Sequence, residues 1–388
     1  MFSSIYVGLS GLTAFSRGLQ QISNNVTNLN SQGFKGQTTT FESLVGGGRD
    51  RIDDGRGRAG NGVGVAATRT DFKQGELRQS DRDLDLAIQG TGFLMLRRGD
   101  ETAYTRTGSF EVGKDGYIVL SGTEYRLATL DASGAPATIS IDDRRTSAPT
   151  ATTKVTFADN LSSTAASFSV GDIAVYDPTG GKHVWQAQFA KGTDANSWTV
   201  TVTDDKGRTI GAQTLRFSNG LVDPATRSLS FTDADANLTV PFEFGATVTS
   251  FSAGSVSTLR VAAADGYAPG TLTSVAVNAD GQLEIGYSNE QKVKLGAVAV
   301  ADFRDAAALE QQAGGLFTDK GAAGRTLFAS GDVRVGTVVS RKLEASNVDL
   351  TVEFSDLILV QRGFQASSQI ISVTNDMIQQ LFGIRGQG

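Results

Sequence analysis

Both ends of the chain carry apolar residues that repeat every seven positions. Near the amino terminus the repeats are Ile5, Leu12, Leu19 and Val26, then Phe15, Ile22 and Leu29 with Gly8 in the first turn, and Leu9 completes the predicted packing set. Near the carboxyl terminus the repeat is Leu350, Leu357, Phe364, Ile371 and Ile378, joined by Phe354. A period of 3.5 residues is typical of helices that pack on other helices. We therefore predict helices over 1–30 and over about 346–382, each of which needs a partner.

The start of the second helix and its other seam position are polar. Ser346 or Asn347 is expected to cap the helix, and Asp349 suits its first turn. A seam position four residues after the main repeat holds Gln361, Ser368 and Asn375, which argues against a simple dimeric zipper. We expect the stripes to mediate assembly, either of the two termini with each other or of several copies of the chain.

Between the helices the period changes from 3.5 to two. Apolar and polar residues alternate from Leu84 onward, as in half-buried strands, and Asp81, Asp83 and Asp85 are expected to share one solvated strand face. Turn sequences such as Asn219-Gly220 recur at short intervals. This pattern is typical of compact all-β domains.

The combined pattern predicts an α+β fold that is mostly β. The terminal helices pair as a coiled coil, and two all-β domains are inserted between them. The predicted domains are a helical domain at 1–33 and 343–388, an irregular arm at 34–82, an inner β domain at 83–145 and 285–342, and an outer β domain at 146–284. The glycine-rich, charged stretch 46–62 is predicted to form an exposed loop of open function.

Composition narrows the possible functions. The net charge is −6, so the basic footprint typical of nucleic-acid binding is missing. The sequence has no cysteine and one histidine, His183, so it offers neither a thiolate nor a His-rich metal site. No motif indicates catalysis, a metal or a cofactor, and we predict a protein that is not an enzyme. No apolar run approaches the roughly 18 residues of a membrane span, and the start lacks the basic segment of a cleaved signal peptide.

Four segments, in order, resemble signatures of the axial proteins of the bacterial flagellum, the family of rod and hook subunits. The first includes Asn24, Asn25, Asn28, Gly33, Phe34 and Lys35. The second and third are the β segments 84–93 and 104–110. The fourth includes Ser346, Asn347, Asp349, Gln361 and Arg362. The segment 175–183 is similar to hook proteins rather than to rod subunits.

The resemblance implies a structural subunit of the hook, a curved and flexible tube that transmits motor torque to the filament and encloses the export channel. It implies four kinds of partner besides other copies of the chain: the hook cap, the distal rod, the hook–filament junction proteins and the type III export apparatus. It also implies an extracellular place in the flagellum. Two alternatives stay open. One is a distal rod subunit, since rod subunits can carry insertions near 46–62, and the other is a secreted β-domain adhesin or enzyme with oligomerising helices.

Overall fold

The computed structural model describes residues 2–45 and 60–385, so most of the predicted loop 46–62 lies outside the described residues. The chain divides into two compact units. The first unit comprises Met1–Asp142, Val275–Glu284 and Lys294–Gly388, and the second comprises Asp143–Ser274 and Ile285–Val293. Residues 275–284, which the sequence assigned to the outer domain, belong to the first unit because Val277 and Leu283 are buried in its core.

The two long helices both belong to the first unit. Helix α1 spans Phe2–Thr27 and helix α2 spans Leu350–Arg385. The residue that caps α2 is Asp349, whose Oδ1 accepts the backbone N–H of Thr351 at 2.8 Å. The expected cap at Ser346 or Asn347 was therefore wrong. The physical reason is that the Asn347 side chain bonds the backbone of Gly36 and of residues 71–73 instead.

Short strands make up most of the remaining described chain. Strands before the first passage between units are β1 Gln37–Thr38, β2 Phe41–Val45, β3 Gly60–Val65, β4 Arg69–Thr70, β5 Leu77–Gln79, β6 Asp85–Gln89, β7 Phe93–Arg98, β8 Glu101–Thr105, β9 Thr107–Val112, β10 Ile118–Leu120, β11 Arg126–Leu127, β12 Thr129–Leu130 and β13 Pro136–Ala137. The second unit contributes β14 Thr146–Ser147, β15 Val155–Asn160, β16 Ser167–Tyr176, β17 Lys182–Lys191, β18 Ser197–Thr203, β19 Thr209–Ser218, β20 Leu221–Val222, β21 Ser228–Asp233, β22 Leu238–Thr249 and β23 Arg260–Ala264.

Three further strands lie where the chain passes between the units, and six follow them. The three are β24 Gly270–Val277, β25 Gln282–Tyr287 and β26 Lys292–Ala297. The six are β27 Ala299–Phe303, β28 Glu310–Gln311, β29 Leu316–Thr318, β30 Arg325–Ala329, β31 Thr337–Ser340 and β32 Lys342–Glu344. Short 3₁₀ turns occupy Asp142–Arg144, Pro224–Thr226, Ala306–Ala308 and Ala313–Gly315. The predicted fold class, mostly β with two terminal helices, is confirmed.

The first unit is built on an eleven-stranded sheet. Its main order is β28-β29-β8-β7-β11-β10-β9-β6-β31, and β27 joins β7 to β30. Strand β6 is buried on both faces between β9 and β31, so Ala87 is as buried as Leu86 and Ile88. Asp85 is 2% exposed and accepts the Ser80 hydroxyl. The expected solvated face was therefore wrong for Asp85, because a central strand covered on both faces leaves no solvated face.

The second unit has its own sheet and its own core. Nine strands are ordered β16-β17-β18-β19-β20-β22-β15-β23, with β21 also paired to β22. Trp185 and Trp198 are 0% and 1% exposed in this core. The hairpin from β19 to β20 turns at Asn219-Gly220, both with positive φ (53° and 78°), a conformation that Gly and Asn tolerate.

Candidate assembly interface

The terminal helices pair in antiparallel fashion through a seam of small residues. A Cβ atom built on Gly8 would lie 2.8 Å from Ile371 Cγ1, and one on Gly11 would lie 2.5 Å from Ser367 Oγ. One on Gly18 would lie 3.3 Å from Val360 Cγ1. Position numbers rise along α1 as they fall along α2, which makes the pair antiparallel. Glycine lets two backbones approach more closely than any side chain allows.

The buried seam of α1 differs from the predicted main stripe. The residues of α1 that are buried are Gly8, Gly11, Ala14, Gly18, Ile22 and Asn25. The predicted stripe residues Ile5, Leu12, Leu19 and Val26 are half-buried beside this seam, as are Phe15 and Leu29. Leu9 is 56% exposed. The period was right, but the seam centre was shifted, because a pattern of apolar side chains gives no weight to glycine.

The second seam position of α2 lies three residues after the main repeat. It consists of Glu353, Val360, Ser367 and Thr374, which are buried or half-buried, beside Leu357, Ile371 and Ile378. The predicted positions Gln361, Ser368 and Asn375 are exposed instead. Leu350 and Phe364 are each 37% exposed and Phe354 is 50% exposed. The seam that the sequence placed four residues along was wrong, because the antiparallel partner turns α2 toward its other neighbouring row.

The first motif residue of the junction below the helices is Asn25. Its amide clamps the backbone of Gln37: Nδ2 donates to the carbonyl at 2.8 Å, and Oδ1 accepts the N–H at 3.0 Å. The same Nδ2 donates to Glu353 Oε1 at 2.8 Å. Burial raises the pKa of Glu353 above its ordinary value, although the hydrogen bond from Asn25 acts the other way. One buried side chain thus ties together α1, α2 and the segment after α1.

Asn347 has a matching role before α2. Its Oδ1 accepts the N–H of Gly36 at 2.8 Å, and its Nδ2 donates to the carbonyls of Asp71 and Lys73 at 2.7 and 3.1 Å. Both ends of the amide are therefore used. The segment entering α2 is fixed to the segment leaving α1, which sets where the helices start their pairing.

Beneath these amides lies a buried ionic triad formed by Lys35, Arg106 and Glu344. Lys35 Nζ is 2.6 Å from Glu344 Oε1, and Arg106 Nε is 3.3 Å from Glu344 Oε2. The three side chains are at most 1% exposed. Lys35 Nζ also donates to the carbonyl of Lys73 at 2.6 Å, and the N–H of Gly75 donates to Glu344 at 2.8 Å.

The triad holds two positive charges against one negative charge. Burial lowers the pKa of Lys35 and of Arg106, and the neighbouring Glu344 carboxylate opposes this shift in both. Arg106 offsets part of its lost hydration by donating to the carbonyls of Gly90 and Gly92, each at 2.5 Å. A buried ion needs such additional hydrogen bonds to persist. Glu344 is therefore the residue on which both cations depend.

The other motif residues shape the same region or remain on the surface. Gly33 has a φ of +66°, and its N–H donates to the Glu344 carbonyl at 2.8 Å. Phe34 is 8% exposed. Asn28 donates from Nδ2 to the carbonyl of Asn24 at 2.9 Å. The Ser346 hydroxyl accepts the N–H of Val348 at 3.3 Å. Gln361 and Arg362 are exposed on α2.

The triad partners Glu344 and Arg106 are functional residues that the sequence argument missed. Both lie within the motif segments, but nothing in a local pattern links them across 238 positions. The available signal was a charge inside an otherwise apolar or small-residue β segment. Such a charge is rarely buried unless it is paired, so each segment predicted a partner without naming it.

A second apolar stripe on α2 has no partner among the described residues. Its members are Val352, Leu359, Ile370, Val373 and Met377, which are between 43% and 66% exposed. Val352, Leu359 and Val373 fall on one heptad position with Ala366, and Ile370 and Met377 fall four residues after it. A heptad stripe of this kind predicts a further packing partner. Contiguous exposed apolar side chains mark interaction surfaces.

Beside this stripe lies a groove, which we define by the side chains that line it. A cavity of about 370 Å³ is bordered by Phe15 and Ile22 of α1, Phe41 of β2, and Leu359 and Val360 of α2. Phe41 contacts Phe15 with a ring separation of 5.3 Å. The groove is therefore apolar in its floor and opens beside the second stripe.

Catalytic chemistry has no comparable support. Among the described residues no group of three or more His, Cys, Asp or Glu side chains could hold a metal ion. In the part of the chain that the structure describes, no helix is long and apolar enough to span a membrane. The side chains brought together here pack, hydrogen-bond and pair charges, which are the contacts of a structural interface.

Comparison with known proteins gives the same family over most of the chain. The model of the flagellar basal body rod FlgEFG protein C-terminal region matches residues 339–384, and that of the flagellar hook protein FlgE/F/G D1 domain matches residues 87–162. The structure of Helicobacter pylori flagellar hook protein FlgE2 is similar, with a TM-score of 0.50 and 11% identity. It covers 70% of this chain and 100% of that one, which supports the fold.

Relatives match over almost the full length. The flagellar hook protein FlgE of Escherichia coli K12 is 30% identical over 408 residues, which cover 97% of this chain and 98% of the relative. FlgE of Salmonella typhimurium is 29% identical, with the same two coverages. FlgE of Treponema pallidum is 27% identical over 99% of this chain and 100% of its own. The chain therefore belongs to the family of the flagellar hook protein FlgE.

Proposed function

We propose that copies of this chain polymerise through their paired terminal helices into the flagellar hook. The resulting tube is curved and flexible, encloses the export channel and transmits motor torque to the filament. The hook cap, the distal rod, the junction proteins and the type III export apparatus are its further partners. The protein acts outside the cell as a structural subunit and performs no catalysis. Family membership supports the hook rather than the rod or an adhesin.

The observation that carries this proposal is the unpartnered apolar stripe on α2. Complete burial of one large aliphatic or aromatic side chain contributes roughly 1.5–3 kcal/mol. Val352, Leu359, Ile370, Val373 and Met377 are all between 43% and 66% exposed in the single chain. Leaving them in water forgoes several kcal/mol per subunit. Association with other copies of the chain recovers this free energy along the whole helix.

The junction below the helices supports the same function. The clamp at Asn25 and the amide of Asn347 fix both helices to the first unit by side chains that are buried or half-buried. The ionic triad of Lys35, Arg106 and Glu344 adds a non-local tie. A subunit that transmits torque needs its polymerising helices attached to the rest of its mass without slack, and this junction supplies that attachment.

Deletion of the gene in its host tests the proposal. We expect non-motile cells whose basal bodies retain a complete rod but lack a hook in electron micrographs. The wild-type gene and a Gln365→Glu variant, which changes a position on the back of α2, should restore hooks. A double variant, Ile370→Glu with Val373→Glu, should not restore them, although the subunit is still produced. Basal bodies that lack the distal rod, or normal hooks without the gene, would contradict the proposal.

A further inference from the structure

The pair of helices α1 and α2 has two unlike sides. Successive residues of a helix are turned by about 100°. On α2, Leu359 is thus turned to one side of the seam residue Val360, whereas Leu350 and Phe354 are turned to the other. On α1 the groove residue Gln21 and the stripe residue Leu12 are separated in the same way. One side of the pair therefore carries the groove, and the other carries what we call the ridge.

The ridge is an uncharged apolar surface. Its members are Ile5, Leu12 and Leu19 of α1 and Leu350, Phe354 and Phe364 of α2. The polar residues between them, such as Ser16, Ser23, Gln361 and Ser368, carry no charge. Depletion of charge distinguishes the core of a protein interface from ordinary surface. Aromatic side chains such as Phe354, 50% exposed, are the typical anchors of such a core.

The groove offers what an aromatic anchor needs. Its cavity of about 370 Å³ is lined by Phe15, Ile22, Phe41, Leu359 and Val360. Leu359 is 66% exposed at its rim. The groove is continuous with the seam between α1 and α2, since Phe15, Ile22 and Val360 belong to both.

Ridge and groove on opposite sides of one helix pair suit head-to-tail contact. A contact between two different surfaces of identical chains leaves each surface free at one end, so that further copies add in the same direction. A contact of one surface with itself closes after two copies. Open growth therefore requires the first arrangement, and this helix pair carries both halves of it.

We propose that the ridge of one copy, with Phe354 and Phe364, packs into the groove of the next copy beside Leu359. The occupant of the groove is thus a second copy of this chain. This inference rests on the proposed function, because it names the two surfaces through which the polymer grows. It also gives the stripe of Ile5, Leu12 and Leu19 its place, since these residues flank the seam within one chain and face a neighbour in the polymer.

Two matched variants of the full-length chain test the inference. Phe354→Glu impairs the ridge and keeps the groove, whereas Leu359→Glu impairs the groove and keeps the ridge. Both change an exposed apolar residue of α2 to the same charged residue. Gln365→Glu, on the back of α2, is the control. Circular dichroism checks that each chain folds, and sedimentation with electron microscopy measures polymer.

Under conditions in which the wild type forms tubes, each variant alone should stay monomeric, with at least about tenfold less sedimentable protein than Gln365→Glu, a factor that corresponds to about 1.4 kcal/mol per contact. An equimolar mixture of Phe354→Glu and Leu359→Glu chains should form a heterodimer, because one intact ridge meets one intact groove, and growth should stop there. Each variant, added in small amount to wild-type chains, should shorten their tubes.

Several outcomes overturn the inference while the proposed function stands. One is a wild-type tube together with a variant that polymerises as well as the control. Another is a variant that forms a dimer by itself, which would mean that like surfaces meet. A third is a Leu359→Glu chain that unfolds more easily than Gln365→Glu, since the groove would then be filled from within its own chain. If the wild type forms no tube under any condition, the proposed function fails as well.

Discussion

Replacing Glu344 by glutamine should destabilise the first unit far more than a surface charge change does. The substitution keeps the shape of the side chain but removes the negative charge between Lys35 Nζ, at 2.6 Å, and Arg106 Nε, at 3.3 Å. Two cations that are at most 1% exposed then have no counter-ion. Loss of one partner of a buried ion pair costs about 3–5 kcal/mol. That is a large part of the about 5–15 kcal/mol by which domains are stable.

The chain supplies separate signals for its two units. Both tryptophans, Trp185 and Trp198, lie in the core of the second unit, whereas α1 and α2 lie in the first. Urea unfolding followed by circular dichroism at the helix band therefore reports on the first unit, and fluorescence on the second. With an m-value of about 2 kcal/mol/M, a loss of about 4 kcal/mol lowers the urea midpoint by about 2 M. The fluorescence midpoint should stay in place.

A surface variant and a second triad variant sharpen this test. Glu310→Gln removes an exposed pair with Lys320 and should cost less than about 1 kcal/mol. Lys35→Met should cost less than Glu344→Gln, because it leaves Arg106 and Glu344 as a balanced pair. If Glu344→Gln and Glu310→Gln shift the midpoint equally, or if Lys35→Met is the more damaging change, the charge argument is refuted.

Two further predictions concern packing and pH. Gly363→Ala should destabilise the helix pair despite the better helix propensity of alanine, worth about 1 kcal/mol, because the new Cβ would lie 2.5 Å from the Phe15 ring; Gln369→Ala on the exposed back of α2 should be neutral or slightly stabilising in thermal unfolding. Asp332 has a pKa lowered from 3.8 to about 2, chiefly by its hydrogen bond from Arg334. Its contribution to stability is therefore present above pH 3.8 and lost as pH falls through about 2, so the stability difference between wild type and Asp332→Asn should shrink steadily over that range. A difference of constant size across that range would contradict this.

Local patterns were enough for the elements and for the family. The heptad repeats of Leu357, Ile371 and Ile378 predicted a helix, since periodicity is a property of neighbouring residues along the chain. The alternation after Leu84 and turns such as Asn219-Gly220 predicted strands for the same reason. Four motif segments in order predicted a flagellar axial protein, and the relatives confirm it.

Tertiary structure decided which side of each stripe is buried and which charges meet. The repeat of Ile5 predicted a seam, but the seam lies at Gly8 and Gly11, because close backbone approach needs the absence of a side chain and leaves no apolar signal. Sequence by itself showed that Lys35 and Glu344 belong to motif segments. Their contact closes a loop of 309 positions, and only the packed sheet and helices bring such distant residues together.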